Sequence, residues 1–261
     1  MIYDTHIHLN DSKYDLILND IIDRAIENDV LIMNVIGWDK LSSIKAIEIC
    51  HKYNGYKGLK LYPVVGLHPE NILEMEDSDK DLRWLEDLIQ NNDVLAVGEI
   101  GYDLYWDKSY IDRQEEYFRK QIEIAIKYDK PIIIHSREAN QKTFDLLKEY
   151  KGKVKGILHC YSGSLEMAKE YLKLGYILGI GGTITFKNSH ISDLVLNLPL
   201  ESFVTETDGP YLAPHPYRGK LNEPSYIIEV IKKIKEIKGL DESLIKEALI
   251  NNAFEVLNIK H

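Results

Sequence analysis

Eight short runs of apolar, largely β-branched residues recur along this 261-residue chain, with stretches of helical period between them. They fall at 2–4, 31–36, 62–67, 94–99, 132–135, 156–159, 176–180 and 203–207. Each is close to continuous in hydrophobicity rather than alternating, as expected of parallel strands buried on both faces. Helices are expected at 13–28, 40–53, 79–91, 109–129, 138–150, 164–174, 187–197, 225–238 and 242–257. In the segment 109–129, Phe118, Ile122, Ala125 and Ile126 share one face and Arg119, Lys120 and Glu123 fall elsewhere. Ser164, before Leu165 and Glu166, reads as a helix N-cap. Strand–helix alternation repeated eight times predicts an α/β fold, a (β/α)8 TIM barrel with its site at the C-terminal ends of the strands. Barrels of this length form one domain, and no linker, low-complexity tract or repeat divides the chain, so a single domain over 1–261 is expected.

Composition narrows the function. Hydrophobic residues at 44% and charged residues at 28% describe an ordinary globular protein. No apolar run approaches the ~18 residues of a membrane span, and the first residues lack the basic-then-apolar pattern of a Sec signal. No membrane association is expected. Two cysteines, Cys50 and Cys160, are too few for a disulfide framework, which points to a reducing cytoplasm. With 32 Lys+Arg against 42 Asp+Glu the net charge is −10, unlike a protein that grips long duplex through many phosphates. Contact with nucleic acid would need local positive charge, for which bound metal is the obvious source. The basic run at 232–238 fits the solvated face of a helix.

Of nine histidines, His6, His8, His68, His135 and His159 end or closely follow an expected strand. Such positions converge on one mouth of a barrel. His6 and His8, two apart on a strand, point to one side and can reach one ion. Asp4 stands two before His6, placed to orient it. A single histidine at a strand end commonly belongs to the core; His135 and His159 on neighbouring strands together favour ligands. Glu99 in VGEIG puts a carboxylate at a buried strand end, where it needs a cation: a basic side chain or shared metal. Asp208 after FVTET can bind metal and accept a proton from attacking water, with Glu206 behind it as a brace. The set His6, His8, Glu99, His135, His159 and Asp208 suits two divalent ions, drawn from Zn, Mn, Co, Ni, Fe or Mg rather than Ca, about 3.5–4 Å apart.

The motifs DTHIHL, GLHPE, GEIGYDLYW, HSREA, HCYSG and ETDGPYLAP, followed by RGKLNEP, occur in that order from residue 4 to residue 224. In combination they resemble the TatD-type metal-dependent hydrolases of the amidohydrolase superfamily. The resemblance implies a TIM barrel with one or two metals and nuclease activity on DNA, often 3′→5′ exonucleolytic. Carried over by position, His6 and His8 bind a first ion and His135 and His159 a second. Glu99 bridges them where many amidohydrolases use a carboxylated lysine, and Asp208 serves the first ion beside the nucleophilic water. The chain departs from the family wording at Tyr161, where Phe is common, and after the core of GEIGYDLYW.

On the substrate side, a phosphodiester needs donors for its oxygens. His68 and Arg137 flank the expected centre, and Arg137 can fork onto a phosphate unless a strand-end carboxylate claims it. Ser162 and Gly163, at a helix start, offer a hydroxyl and an N–H. Asn222 and Arg218, in the loop after the eighth strand, are further candidates for substrate contact. Tyr105, Trp106 and Tyr161 offer faces on which a base can stack, or else pack within their loops. Gly181, Gly182 and Thr183 read as a tight turn. The expected reaction is metal-assisted hydrolysis of DNA, or of RNA, at ends or single strands, with Asp208 taking the proton from water. No obligate protein partner is implied. Hydrolysis of a D-aminoacyl-tRNA or another ester or amide in the same centre is the alternative. A polymerase-and-histidinol-phosphatase type site is disfavoured, because Gly-Pro follows Asp208 where that class has a late D-x-H. A barrel that keeps metal for stability alone would show no hydrolysis.

Overall fold

A computed structural model describes residues 1–260 apart from 73, 74 and 76; His261 lies outside the described residues. The strands are β1 (Ile2–Ile7), β2 (Val30–Ile36), β3 (Lys60–Val65), β4 (Ala96–Asp103), β5 (Ile132–Arg137), β6 (Gly156–Leu158), β7 (Ile177–Ile180) and β8 (Phe203–Thr205). They pair in sequence order in one eight-stranded sheet, each neighbour parallel to the last. Across the seam between β8 and β1, Thr5 Oγ1 donates to the Thr205 carbonyl at 3.0 Å and Thr205 Oγ1 to the Tyr3 carbonyl at 3.3 Å. A further bridge joins Ile7 to Gly209. The fold is the expected TIM barrel.

The helices are α1 (Leu18–Glu27), α2 (Lys40–Tyr53), α3 (Ser78–Asp81), α4 (Arg83–Asn91), α5 (Ile111–Lys127), α6 (Asn140–Glu149), α7 (Leu165–Leu174), α8 (Ile191–Asn197), α9 (Ile227–Lys238) and α10 (Glu242–Val256). Asp39 and Ser42 form a reciprocal capping box at α2. Ser164 caps α7 by accepting from the Met167 N–H. The single helix expected over 79–91 is broken between α3 and α4 at Leu82, whose ψ of 1° leaves the helical region. On α9, Ile227, Val230, Ile231 and Ile234 are buried, while Lys232 and Lys233 pair with Glu229 and Glu236, both at 2.8 Å. The basic run is therefore a solvated face.

The barrel interior is filled by one residue or more from every strand: Tyr3, Ile32, Ile36, Val64, Ala96, Ile133, Ile157, Ile177 and Val204, with Ala253, Val256 and Leu257 of α10 packed against them. The alternate residues, such as Ile132, Ile134, Leu158 and Leu178, join the larger cluster that includes buried helix residues. Side chains alternate along a strand, so Ile133 inside puts His135 inside, and Ile157 puts His159 inside. Tyr3 and His6, and likewise Ala96 and Glu99, are three apart and cannot share a side of a regular strand. Register shifts between Asp4 and Ile7 and between Val97 and Ile100 resolve the conflict. In β4 the shift is followed by Gly101 at φ 147°, where a Cβ would overlap the His135 carbonyl. β4 then runs on to Asp103, whose backbone stands opposite that of Arg137 in the β4–β5 ladder, so Glu99 lies within the strand rather than at its expected end.

Candidate metal centre

Six side chains from five strands and the segments that follow them meet at the C-terminal end of the barrel. Glu99 is their hub. Its Oε1 accepts from His135 Nδ1 and lies equally close to His159 Nε2, both at 2.7 Å. Its Oε2 lies 3.4 Å from His6 Nε2 and 3.8 Å from His8 Nε2. Asp208 Oδ1 faces the same two histidines, 3.8 Å from His6 Nε2 and 3.6 Å from His8 Nε2. The main chain holds Asp208 there through its N–H to the His6 carbonyl, at 2.9 Å and with φ 56°. The His6 and His159 rings stack at 4.0 Å. His68, at the end of the segment after β3, brings Nε2 to 3.6 Å from Glu99 Oε1. A cleft of about 540 Å³ opens over the cluster, with Trp38, Asn71, Trp106 and Tyr211 on its walls.

The site's electrostatics follow from putting several imidazoles round one buried carboxylate. Burial alone would raise the Glu99 carboxyl, but His159, His68 and His135 reverse this and hold it well below the ordinary carboxylate range. Burial opposes a charged His159, yet Glu99 and Glu206 lift it well above the usual histidine value. Burial and the neighbouring His135 push His68 down to about 3. It is therefore a neutral imidazole near pH 7. Asp208 stays ionised because His8, His159 and His6 outweigh its burial.

These residues fit a divalent metal. His6 is fully buried, and neither of its ring nitrogens has a hydrogen-bond partner among the described residues. Such an orphan is costly in a folded core and calls for a ligand. Three groups bring donor atoms within 4.8 Å of one another: His6–His159–Asp208, His6–His8–Glu99 and His68–Glu99–His135. Imidazole with carboxylate is the donor chemistry of Zn, Mn, Fe, Co and Ni. His8 Nδ1 lies 3.0 Å from the Ile36 carbonyl, which leaves Nε2 free to turn inward.

Some expected residues stand elsewhere. Asp4 does not touch the His6 ring; it accepts from the His6 main-chain N–H and from Thr207 N and Oγ1, which ties β1 to the segment carrying Asp208. Glu206 accepts from Cys160 N and lies 3.6 Å from His159 Nδ1, so it supports His159 rather than the loop of Asp208. Tyr161, expected on the substrate side, lies outside the cleft lining: it is buried, donates its hydroxyl to the Ser164 carbonyl, and packs on Tyr171. Asn222 also lies outside the cleft lining. It is fully buried, donating from Nδ2 to the Thr207 and Tyr211 carbonyls at 2.7 and 2.6 Å, and so staples the loop round Asp208. Ser162 is exposed outside the cleft lining, its carbonyl 3.0 Å from His190 Nε2. Arg218 stacks on Phe186 at 3.8 Å. Arg137 does line the cleft, and its guanidinium stacks 3.8 Å above the Tyr105 ring.

Sequence reasoning missed Asp103, whose Oδ2 lies 2.9 Å from His135 Nε2 and so fixes that ring from behind. The residue stands in GEIGYD, but the strand was expected to end at Glu99. Trp38 was also missed; its ring meets His8 edge-on at 5.3 Å.

The chain matches the family model of TatD-related DNases over residues 3–258. It is 39% identical over 261 residues to YabD of Bacillus subtilis, described as a metal-dependent hydrolase, covering 99% of this chain and 100% of that protein. It is 36% identical to a metal-dependent hydrolase of Methanocaldococcus jannaschii, covering 95% of this chain and 94% of that one. The crystal structure of the Escherichia coli TatD homologue YjjV superposes with a TM-score of 0.90 at 30% identity, covering 99% of this chain and 98% of that chain. With its barrel and its buried histidine–carboxylate cluster, the chain belongs to the TatD family and is a metal-dependent hydrolase.

Proposed function

We propose that the protein hydrolyses phosphodiester bonds of DNA at strand ends or in single strands, acting from the 3′ end, with two divalent ions in the centre. The observation that carries this reading is Arg137. It lies in the cleft two residues past His135, and among the described residues no carboxylate is within ion-pair distance of it. A guanidinium with no ion pair beside a metal centre, in a chain of net charge −10, suits an anionic ligand with paired oxygens. The description of the family as DNases supports DNA as that ligand.

Divalent ions bound there supply Lewis acidity and an acidified water. His6, His8 and Asp208 would hold one ion, His135 and His159 the other, and Glu99 both. Asp208, ionised and facing the cleft, accepts the proton from the attacking water. His68, neutral, and Arg137 donate to the non-bridging oxygens as charge builds on them. Asp103 keeps the His135 ring in one orientation. The acidic surface disfavours tracking along duplex and favours short contacts at ends.

The test is a panel of 3′- and 5′-labelled single strands, blunt duplex, RNA and D-aminoacyl-tRNA, assayed with Mn, Co, Zn and Mg. Stepwise loss of nucleotides from the 3′ end of single-stranded DNA, abolished by chelation, is the expected result. Turnover of D-aminoacyl-tRNA with no strand cleavage under any ion would replace this reading by an ester hydrolase.

A further inference from the structure

We propose that the Trp106 indole is a shelf on which one unpaired nucleobase next to the scissile phosphate stacks, so that the protein selects strands by the presence of a free base rather than by its identity. The inference rests on the phosphodiester reading above and adds the group that recognises the neighbouring nucleoside.

Trp106 lines the same cleft as Glu99, His135, Arg137 and Asp208, yet it is 71% exposed. Its placement matters more than its exposure: the indole stands on the wall of the cleft that holds the histidine–carboxylate cluster. The ring is held rather than loose. Tyr105 meets it edge-on at 4.7 Å and 86°, and the Arg137 guanidinium covers the Tyr105 face at 3.8 Å and approaches Trp106 at 5.7 Å. The other aromatic rings of the cleft are already engaged. Tyr211 has Lys13 above its face at 4.2 Å and its hydroxyl bonded to Asp11. Trp38 is half-buried against His8. Trp106 is thus the most exposed aromatic ring on the cleft wall among the described residues.

The neighbourhood of that surface defines the ligand. Arg137 joins the phosphate-facing side of the cleft to the aromatic stack, so an anion on Arg137 has a planar partner available beside it. A nucleotide combines those two features, and every base has a face for stacking, which makes the contact tolerant of sequence. A base inside a duplex is already stacked on both faces and is unavailable. The shelf therefore favours frayed ends and single strands.

The probes are a fluorescein-labelled hexathymidylate and two versions of it, with tetrahydrofuran abasic residues replacing either the two 3′-terminal or the two 5′-terminal nucleosides. Binding is read by fluorescence anisotropy with chelated and with metal-loaded protein, and cleavage is read separately. One of the two abasic strands is expected to bind the wild type roughly 5- to 150-fold more weakly than the intact strand. Trp106→Leu loses that difference, and Trp106→Phe, which keeps an aromatic face, retains most of it. Equal wild-type affinity for all three strands, or full discrimination surviving in Trp106→Leu, overturns the shelf. Base-dependent binding without cleavage under any ion leaves the shelf standing and removes the hydrolytic reading. Cleavage with no base dependence does the reverse. Trp106 is exposed, so unchanged thermal unfolding is expected in both variants.

Discussion

Replacing Glu99 by glutamine keeps the shape of the hub and removes its charge. Glu99 lies within 2.7 Å of two imidazole nitrogens and 3.4 and 3.6 Å from two more, so the substitution touches both halves of the centre. In chelated protein the substitution removes the hydrogen bonds that the carboxylate accepts, a cost of about 1–3 kcal/mol. The larger effect is on metal. Wild type at an ion concentration 100 times its dissociation constant gains about 2.7 kcal/mol. For a chain of this size each kcal/mol moves Tm by roughly 2–4 °C, so the ion should raise Tm by about 5–11 °C. If the loss of the shared carboxylate weakens binding about 100-fold, the same concentration gives the variant only about 0.4 kcal/mol. Its rise should be about 1–2 °C. Differential scanning calorimetry in EDTA and then in excess Mn or Zn reads both shifts. A Glu99→Gln protein that keeps the full metal-induced rise would refute the idea that this carboxylate binds the ions.

Three further outcomes follow from the same contacts. Asn222→Ala leaves the Thr207 and Tyr211 carbonyls without their donor; a loss of about 2–4 kcal/mol in urea unfolding is expected, and an unchanged midpoint would return Asn222 to the substrate side. Asp103→Asn removes the carboxylate behind His135; metal affinity or turnover should fall about 10- to 100-fold with little change in stability, and titration calorimetry matching wild type would count against that role. Cys50 is buried, and burial pushes its thiol far above its usual value; raising the pH to 8 therefore produces no thiolate, and a thiol reagent should leave Cys50 unmodified in native protein, whereas rapid labelling would show that α2 opens.

The barrel was legible in the sequence because its strands are buried on both faces and its helices are amphipathic, two periods that differ plainly. The positions of His135 and His159 followed from simple alternation along β5 and β6. His6 and Glu99 did not follow that way: their inward direction depends on register shifts in β1 and β4, which no local pattern announces. The same shift hid Asp103, because the strand was ended at the Glu99 carboxylate while the backbone ladder with β5 continues through Ile100, Tyr102 and Asp103. Tyr161 and Asn222 were misplaced for another reason. Both stand in motif segments beside the centre, and nearness in sequence does not reveal whether a polar side chain faces the cleft or satisfies buried carbonyls behind it. Arg137 shows the converse, since only the structure reveals that its guanidinium lies on Tyr105 and not on a carboxylate.

Anomalous diffraction from crystals grown with Mn locates bound ions without reference to activity. Two peaks are predicted, one enclosed by His6, His8, Glu99 and Asp208, the other by Glu99, His135 and His159. Protein that is active with Mn yet shows no peak in contact with Glu99 would contradict a metal centre at this end of the barrel.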